Sequence, residues 1–76
     1  MSKTLSQLLP GEFGIVKKVN GGGAVTRRIV DMGVIAGTRI EVKKYAPLGD
    51  PIEVKLKGFN MSLRKSEADL IEVEPA

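Results

Sequence analysis

A small, strongly bent β-barrel of about five strands, with one amphipathic α-helix and a short helical turn, is the mainly β fold class that this 76-residue chain predicts. Three observations predict it. β-Branched segments recur between glycine and proline breaks, as strands do. Only one stretch, Ala24 to Met32, changes to a helical period. The chain is also too short for the full layers of a two-sheet sandwich, so its sheet must curl on itself to limit bare edges. Residues 1–76 are read as one domain.

Each element has its own signal. Thr4-Leu5-Ser6-Gln7 has capping-box spacing and predicts a helical turn ended by Pro10-Gly11. Gly14 to Val19 is the first long strand, bounded by glycine at both ends. Asn20-Gly21-Gly22-Gly23 breaks regular structure. Val25, Ile29 and Met32 then fall at i, i+4 and i+7 of one helix, with Gly33 placed for a left-handed C-cap. Thr38 to Tyr45 and Ile52 to Lys57 alternate as strands. Gly58-Phe59 predicts a type II′ turn into a returning strand from Asn60 to Arg64. Ser66 to Asp69 reads as a short capped turn, and Leu70 to Val73 as the last strand.

Composition excludes most chemistry. The chain has no histidine and no cysteine, which removes the usual zinc ligands, the usual neutral-pH base and the common triads. The reading is therefore not an enzyme, with no catalytic residue, no cofactor and no metal ligand. Gly21-Gly22-Gly23 lacks the GxxxxGK[ST] and GxGxxG patterns of nucleotide loops. The carboxylates Glu67, Asp69, Glu72 and Glu74 lie close in sequence but have no calcium-loop spacing. No apolar run approaches the roughly 20 residues of a membrane span, and MSKTLSQLLPG has no signal-peptide core, so a cytoplasmic location without membrane insertion is expected.

The net charge of +3 permits acidic partners. Lys17, Lys18, Arg27, Arg28, Lys43 and Lys44 are candidates for a basic patch. A nucleic-acid module would add stacking aromatics, and only Phe13, Tyr45 and Phe59 are available. A small basic barrel that binds nucleic acid is the competing reading, and the favoured one has no nucleic-acid partner. The stretch YAPLGDPI, Tyr45 to Ile52, is more telling. Its prolines stiffen the loop, Ala46 to Gly49 fits a type I turn, and Leu48 is held near the tip. A leucine on a preordered loop loses little entropy on entering a partner's pocket; the alternative is that it folds back over the barrel end.

Three segments carry a resemblance that spans Leu8 to Val73. They are RIVDMGV with Gly37-Thr38, then APLGDPI, then Leu63-Arg64-Lys65 with Glu67-Ala68 and Ile71-Glu72-Val73. In this order they resemble the FeoA-type ferrous iron transport proteins, with Ala36 where that family often has proline. The resemblance implies an SH3-like barrel, cytoplasmic and without catalytic residues. It implies an accessory that docks on and modulates the cytoplasmic GTP-binding region of the membrane transporter FeoB. Transition-metal binding and weak homo-oligomers through an open strand edge stay undecided at this level. Similar domains end metal-responsive repressors, and the expectation here is a domain without their DNA-binding helix-turn-helix. The docking residues expected are Leu48, Tyr45, Pro47, Asp50, Arg27, Arg28 and Met32.

Overall fold

The computed structural model describes residues 3–76. Six strands form one sheet: β1 (Lys3–Thr4), β2 (Phe13–Val19), β3 (Arg39–Tyr45), β4 (Ile52–Leu56), β5 (Phe59–Leu63) and β6 (Ile71–Pro75). Their order is β1-β6-β2-β3-β4-β5, with antiparallel neighbours throughout. The sixth strand beyond the five expected is β1, whose two residues are too short to show a period. Leu5–Gln7 forms a 3-10 turn, Gly23–Asp31 forms helix α1, and Lys65–Ala68 forms the single turn α2.

Two lysine pairs explain how so short a sheet bends. Val16 and Val42 are buried, and the lysine pairs that follow them, Lys17-Lys18 and Lys43-Lys44, are exposed. Strict alternation would turn the second lysine of each pair into the core. Instead, the register shifts between Val16 and Lys18 where β2 meets β6, and between Val42 and Lys44 where β3 meets β4. Each bulge inserts one residue, sharpens the local twist and lets Val19 and Tyr45 return to the core side.

The core joins Leu5, Leu8, Val16, Ile29, Val34, Ile40, Val42, Ile52, Val54, Leu56, Leu63, Ala68, Ile71 and Val73. Gly14 is an interior residue of β2 and not the strand boundary its glycine identity predicts. A Cβ there would lie 3.0 Å from the Val73 Cβ and 3.1 Å from the Leu8 Cδ1. Gly14→Ala is therefore expected to destabilise by about 1–3 kcal/mol through overpacking, read by urea denaturation. A cost near zero would show that Val73 and Leu8 can move aside.

Helix α1 ends as its glycine predicts. Gly33 has φ +100°, and a Schellman pair closes the last turn: Val34 N–H to Ile29 O at 3.3 Å and Gly33 N–H to Val30 O at 2.9 Å. At the other end, Thr26 Oγ1 accepts from Gly22 N–H and donates to Asn20 O, both at 2.8 Å. The helix presses on the sheet through its later turns. Ile29 is fully buried and Met32 packs against the core, whereas Val25 is 44% exposed. The expected apolar face thus loses Val25, which stands on the first turn beyond the core.

The β4–β5 turn also differs from expectation. Its two central residues are Lys57 and Gly58, with φ of 52° and 83°, so the turn is type I′ with Leu56 opposite Phe59. A left-handed lysine is disfavoured locally. Its ammonium lies 3.5 Å from where a Gly33 Cβ would stand, beside the C-terminus of α1, where a cation is favoured.

Candidate docking surface

The loop between β3 and β4 is braced at two levels. Gly49 N–H donates to Ala46 O at 2.7 Å, closing the turn that Pro47 starts, and Ala46 N–H donates to Pro51 O at 2.9 Å. Asp50 Oδ1 accepts from Lys65 N–H at 2.9 Å, which ties the loop to α2. The Asp50–Pro51 peptide is cis. Leu48 sits on this frame 96% exposed, so it does not fold back over the barrel end.

Tyr45 stands at the base of the loop, half-buried, and its hydroxyl donates to Leu8 O. That bond joins the end of β3 to the residue that follows the 3-10 turn. Arg27, Arg28 and Met32 come together along α1, where they line a groove with Gly23, Ala24 and Asp31, Met32 from the border where it also packs against the core. Arg28 also borders a second groove, with Pro51, Ser62, Leu63, Arg64 and Glu67. It is the shared wall. Pro51 in turn connects the second groove to the loop. The expected residues therefore fall into two sets, a helix face and a loop, joined through Arg28 and Pro51.

Arg28 is oriented by Glu67, a residue of the short turn α2. Glu67 is 8% exposed, pairs with the Arg28 guanidinium through Oε2, and accepts from Arg64 N–H through Oε1 at 2.9 Å. The signal was present as the glutamate three residues after the helix N-cap. Arginine at that N-cap offers no acceptor, so only the glutamate half of a capping box forms.

The other charges interleave. Lys17 pairs with Glu74 at 3.2 Å, Lys18 with Glu72 at 3.8 Å, Lys43 with Glu41 at 3.5 Å and Lys44 with Glu53 at 3.5 Å. The bond from Lys17 holds the Glu74 carboxyl below the usual carboxylate range. Ser6 Oγ donates to Asp69, and Asn20 Nδ2 to Glu72 at 3.0 Å. The C-terminal carboxylates thus have separate partners, and among the described residues no three metal-ligating side chains converge. Phe13 is covered by the Arg39 guanidinium at 4.3 Å from the ring centroid, so that face is not an open stacking platform. Among the described residues, no helix is long and apolar enough to cross a membrane.

A bent, antiparallel sheet with one helix across it and an apolar tip on a braced loop places this chain among the small SH3-like β modules. The chain belongs to the FeoA domain family, whose profile matches residues 3–75. That family is implicated in ferrous iron transport. An Fe(2+) transport protein A/Fe(2+) transporter FeoB fusion protein of Porphyromonas gingivalis is 40% identical over 70 residues. Those residues are 92% of this chain, which spans only 8% of the fusion protein's length. The solution structure of iron(II) transport protein A from Clostridium thermocellum superimposes with a TM-score of 0.92 at 44% identity, covering 97% of this chain and 46% of that one. The zinc complex of Stenotrophomonas maltophilia FeoA, described as a prokaryotic SH3 domain protein, gives 0.83 at 28% identity, covering 95% and 89%.

Proposed function

We propose that this chain is a non-catalytic, cytoplasmic accessory of ferrous iron uptake that docks on and modulates the GTP-binding region of a FeoB-type membrane transporter. The observation that carries the reading is Leu48, 96% exposed on a loop closed by two backbone hydrogen bonds. A bare apolar side chain on an ordered frame behaves as a binding anchor, because little freedom is left to lose. The Porphyromonas gingivalis fusion supports the choice of partner, since a tether raises the effective concentration of two modules that act together. The grooves beside Arg28 offer the surrounding contact, with Arg27 and Met32 on one side and Pro51 on the other.

The test is an NMR titration of the labelled chain with the cytoplasmic GTP-binding region of the transporter from the same organism. Amide shifts are expected along Tyr45 to Pro51 and along α1. Leu48→Asp should weaken binding by about thirtyfold or more, the scale of a hot-spot loss of at least 2 kcal/mol. Its thermal midpoint should stay unchanged, because an exposed side chain contributes little to the fold. Unaltered affinity in that variant would sink the anchor assignment, and no shifts at all would sink the partner.

A further inference from the structure

Among the described residues, no strand covers the outer edge of β5. Sheet edges are normally guarded by charge, proline, bulges or brevity. The other edge, β1, is two residues long and carries Lys3. By contrast, β5 runs for five residues, Phe-Asn-Met-Ser-Leu, with no charge and no proline, and β4 is its single strand neighbour among the described residues. Because a two-residue turn makes Leu56–Phe59 a hydrogen-bonded pair, alternation makes Val54–Met61 and Ile52–Leu63 bonded pairs too. Asn60 and Ser62 therefore aim their N–H and C=O groups away from the sheet, and both residues are exposed.

The charges around this edge are one-sided. From Ile52 to Lys65 the chain carries Lys55, Lys57, Arg64 and Lys65 against Glu53 alone, and Glu53 is paired with Lys44. Ser62 and Leu63 line one groove with Arg28, Arg64 and Glu67, and Glu67 is taken up by its pair with Arg28, which leaves Arg64, among the described residues, as the unpaired charge of the groove's rim. Two copies of β5 paired antiparallel about Met61 would bring the Lys57 turn of each copy toward the Arg64-Lys65 end of the other, so like charges oppose self-pairing.

We infer that the β5 edge is a strand-addition site for an extended, acidic segment of a partner protein. The segment bonds to the outward groups of Asn60 and Ser62, with its carboxylates beside Lys57, Arg64 and Arg28. This rests on the reading of the chain as a docking module and adds a second contact beyond the Leu48 loop.

The probes are two hexapeptides, alternating valine–glutamate and valine–lysine, titrated into the labelled full chain. With the acidic peptide, Asn60 and Ser62 amides are expected to shift and to exchange more slowly, and the basic peptide should do neither. Ser62→Pro removes one outward donor that an edge strand can spare. It should weaken the acidic peptide by up to about tenfold, one net hydrogen bond, while Leu48→Asp leaves it unchanged. Should Ser62→Pro disturb the fold, Arg64→Glu gives the same readout through charge. Equal binding of both peptides, absence of shifts at Asn60 and Ser62, or concentration-dependent dimerisation through β5 would each overturn the proposal. If Leu48→Asp abolishes transporter binding while Ser62→Pro and Arg64→Glu leave it intact, strand addition fails and the loop docking stands. If the acidic peptide binds but the GTP-binding region does not, the strand site stands and that choice of partner falls.

Discussion

Ile29→Ala is expected to lower the unfolding free energy by about 3 kcal/mol, within the range for emptying a buried isoleucine site. Ile29 is the one fully buried residue of α1, and beyond it only the C-cap Met32 joins the helix end to the core, so its removal empties the helix's main contact with the sheet. For a domain of this size, that cost corresponds to a fall in melting temperature of about 10 °C or more. Total stability is commonly about 5–15 kcal/mol, so a large share is lost. Val25→Ala is the control. Val25 is 44% exposed on the same helical face, and alanine is the better helix former, so its change should stay within about 0.5 kcal/mol. Parallel thermal melts check both, and equal losses would mean that the first turn packs as firmly as the last. Because α1 presents Arg27, Arg28 and Met32, Ile29→Ala should also weaken docking, whereas Val25→Ala should not.

The contrast between Ile29 and Val25 shows what periodicity can reveal. Spacing identified the helix and its face, and Gly33 marked its end. It could not say how far the core reaches along the helix, which depends on where the sheet stops. The lysine pairs teach the converse. Val-Lys-Lys-Val and Val-Lys-Lys-Tyr place apolar residues three apart in segments that otherwise alternate, and that spacing is itself the mark of an inserted residue. Reading Thr38 to Tyr45 as plain alternation passes over it. At the β4–β5 turn local chemistry favours glycine first because Lys57 is a poor left-handed residue, and the position of its ammonium beside the C-terminal end of α1 is a tertiary fact. In the docking surface, the stiff loop was legible from Pro47, Gly49 and Pro51. Tyr45 is adjacent to the loop in sequence, but its hydroxyl bond to Leu8 O is a tertiary contact that no local pattern announces. The organising role of Glu67 is not legible locally, because its partner Arg28 lies far away in sequence.

Glu67→Ala is expected to destabilise by about 2 kcal/mol, and Glu67→Gln by about half as much. The two substitutions separate the two bonds of one carboxylate. Alanine abandons both, leaving the part-buried Arg64 N–H without its acceptor at the start of α2. Glutamine keeps an oxygen for that N–H and turns its amide NH2, a donor, toward Arg28, so the attraction to the guanidinium is lost. That attraction is discounted because the guanidinium side chain is 59% exposed and water competes for it. Arg28→Ala should therefore resemble Glu67→Gln, at about 1 kcal/mol, since water can reach the carboxylate from the vacated side. Denaturant titrations at low and high salt check the assignment. The cost of Glu67→Gln should shrink as salt screens the pair, while the extra cost of Glu67→Ala, a matter of hydrogen bonding, should not. If Arg28→Ala costs as much as Glu67→Ala, the ion pair and not the N–H bond holds α2 against the rest. Salt would then act on both variants alike. With the N–H bond dominant, Arg28 is left as a residue the fold can lose but the grooves cannot. Arg28→Ala should then impair docking more than its small cost in stability explains.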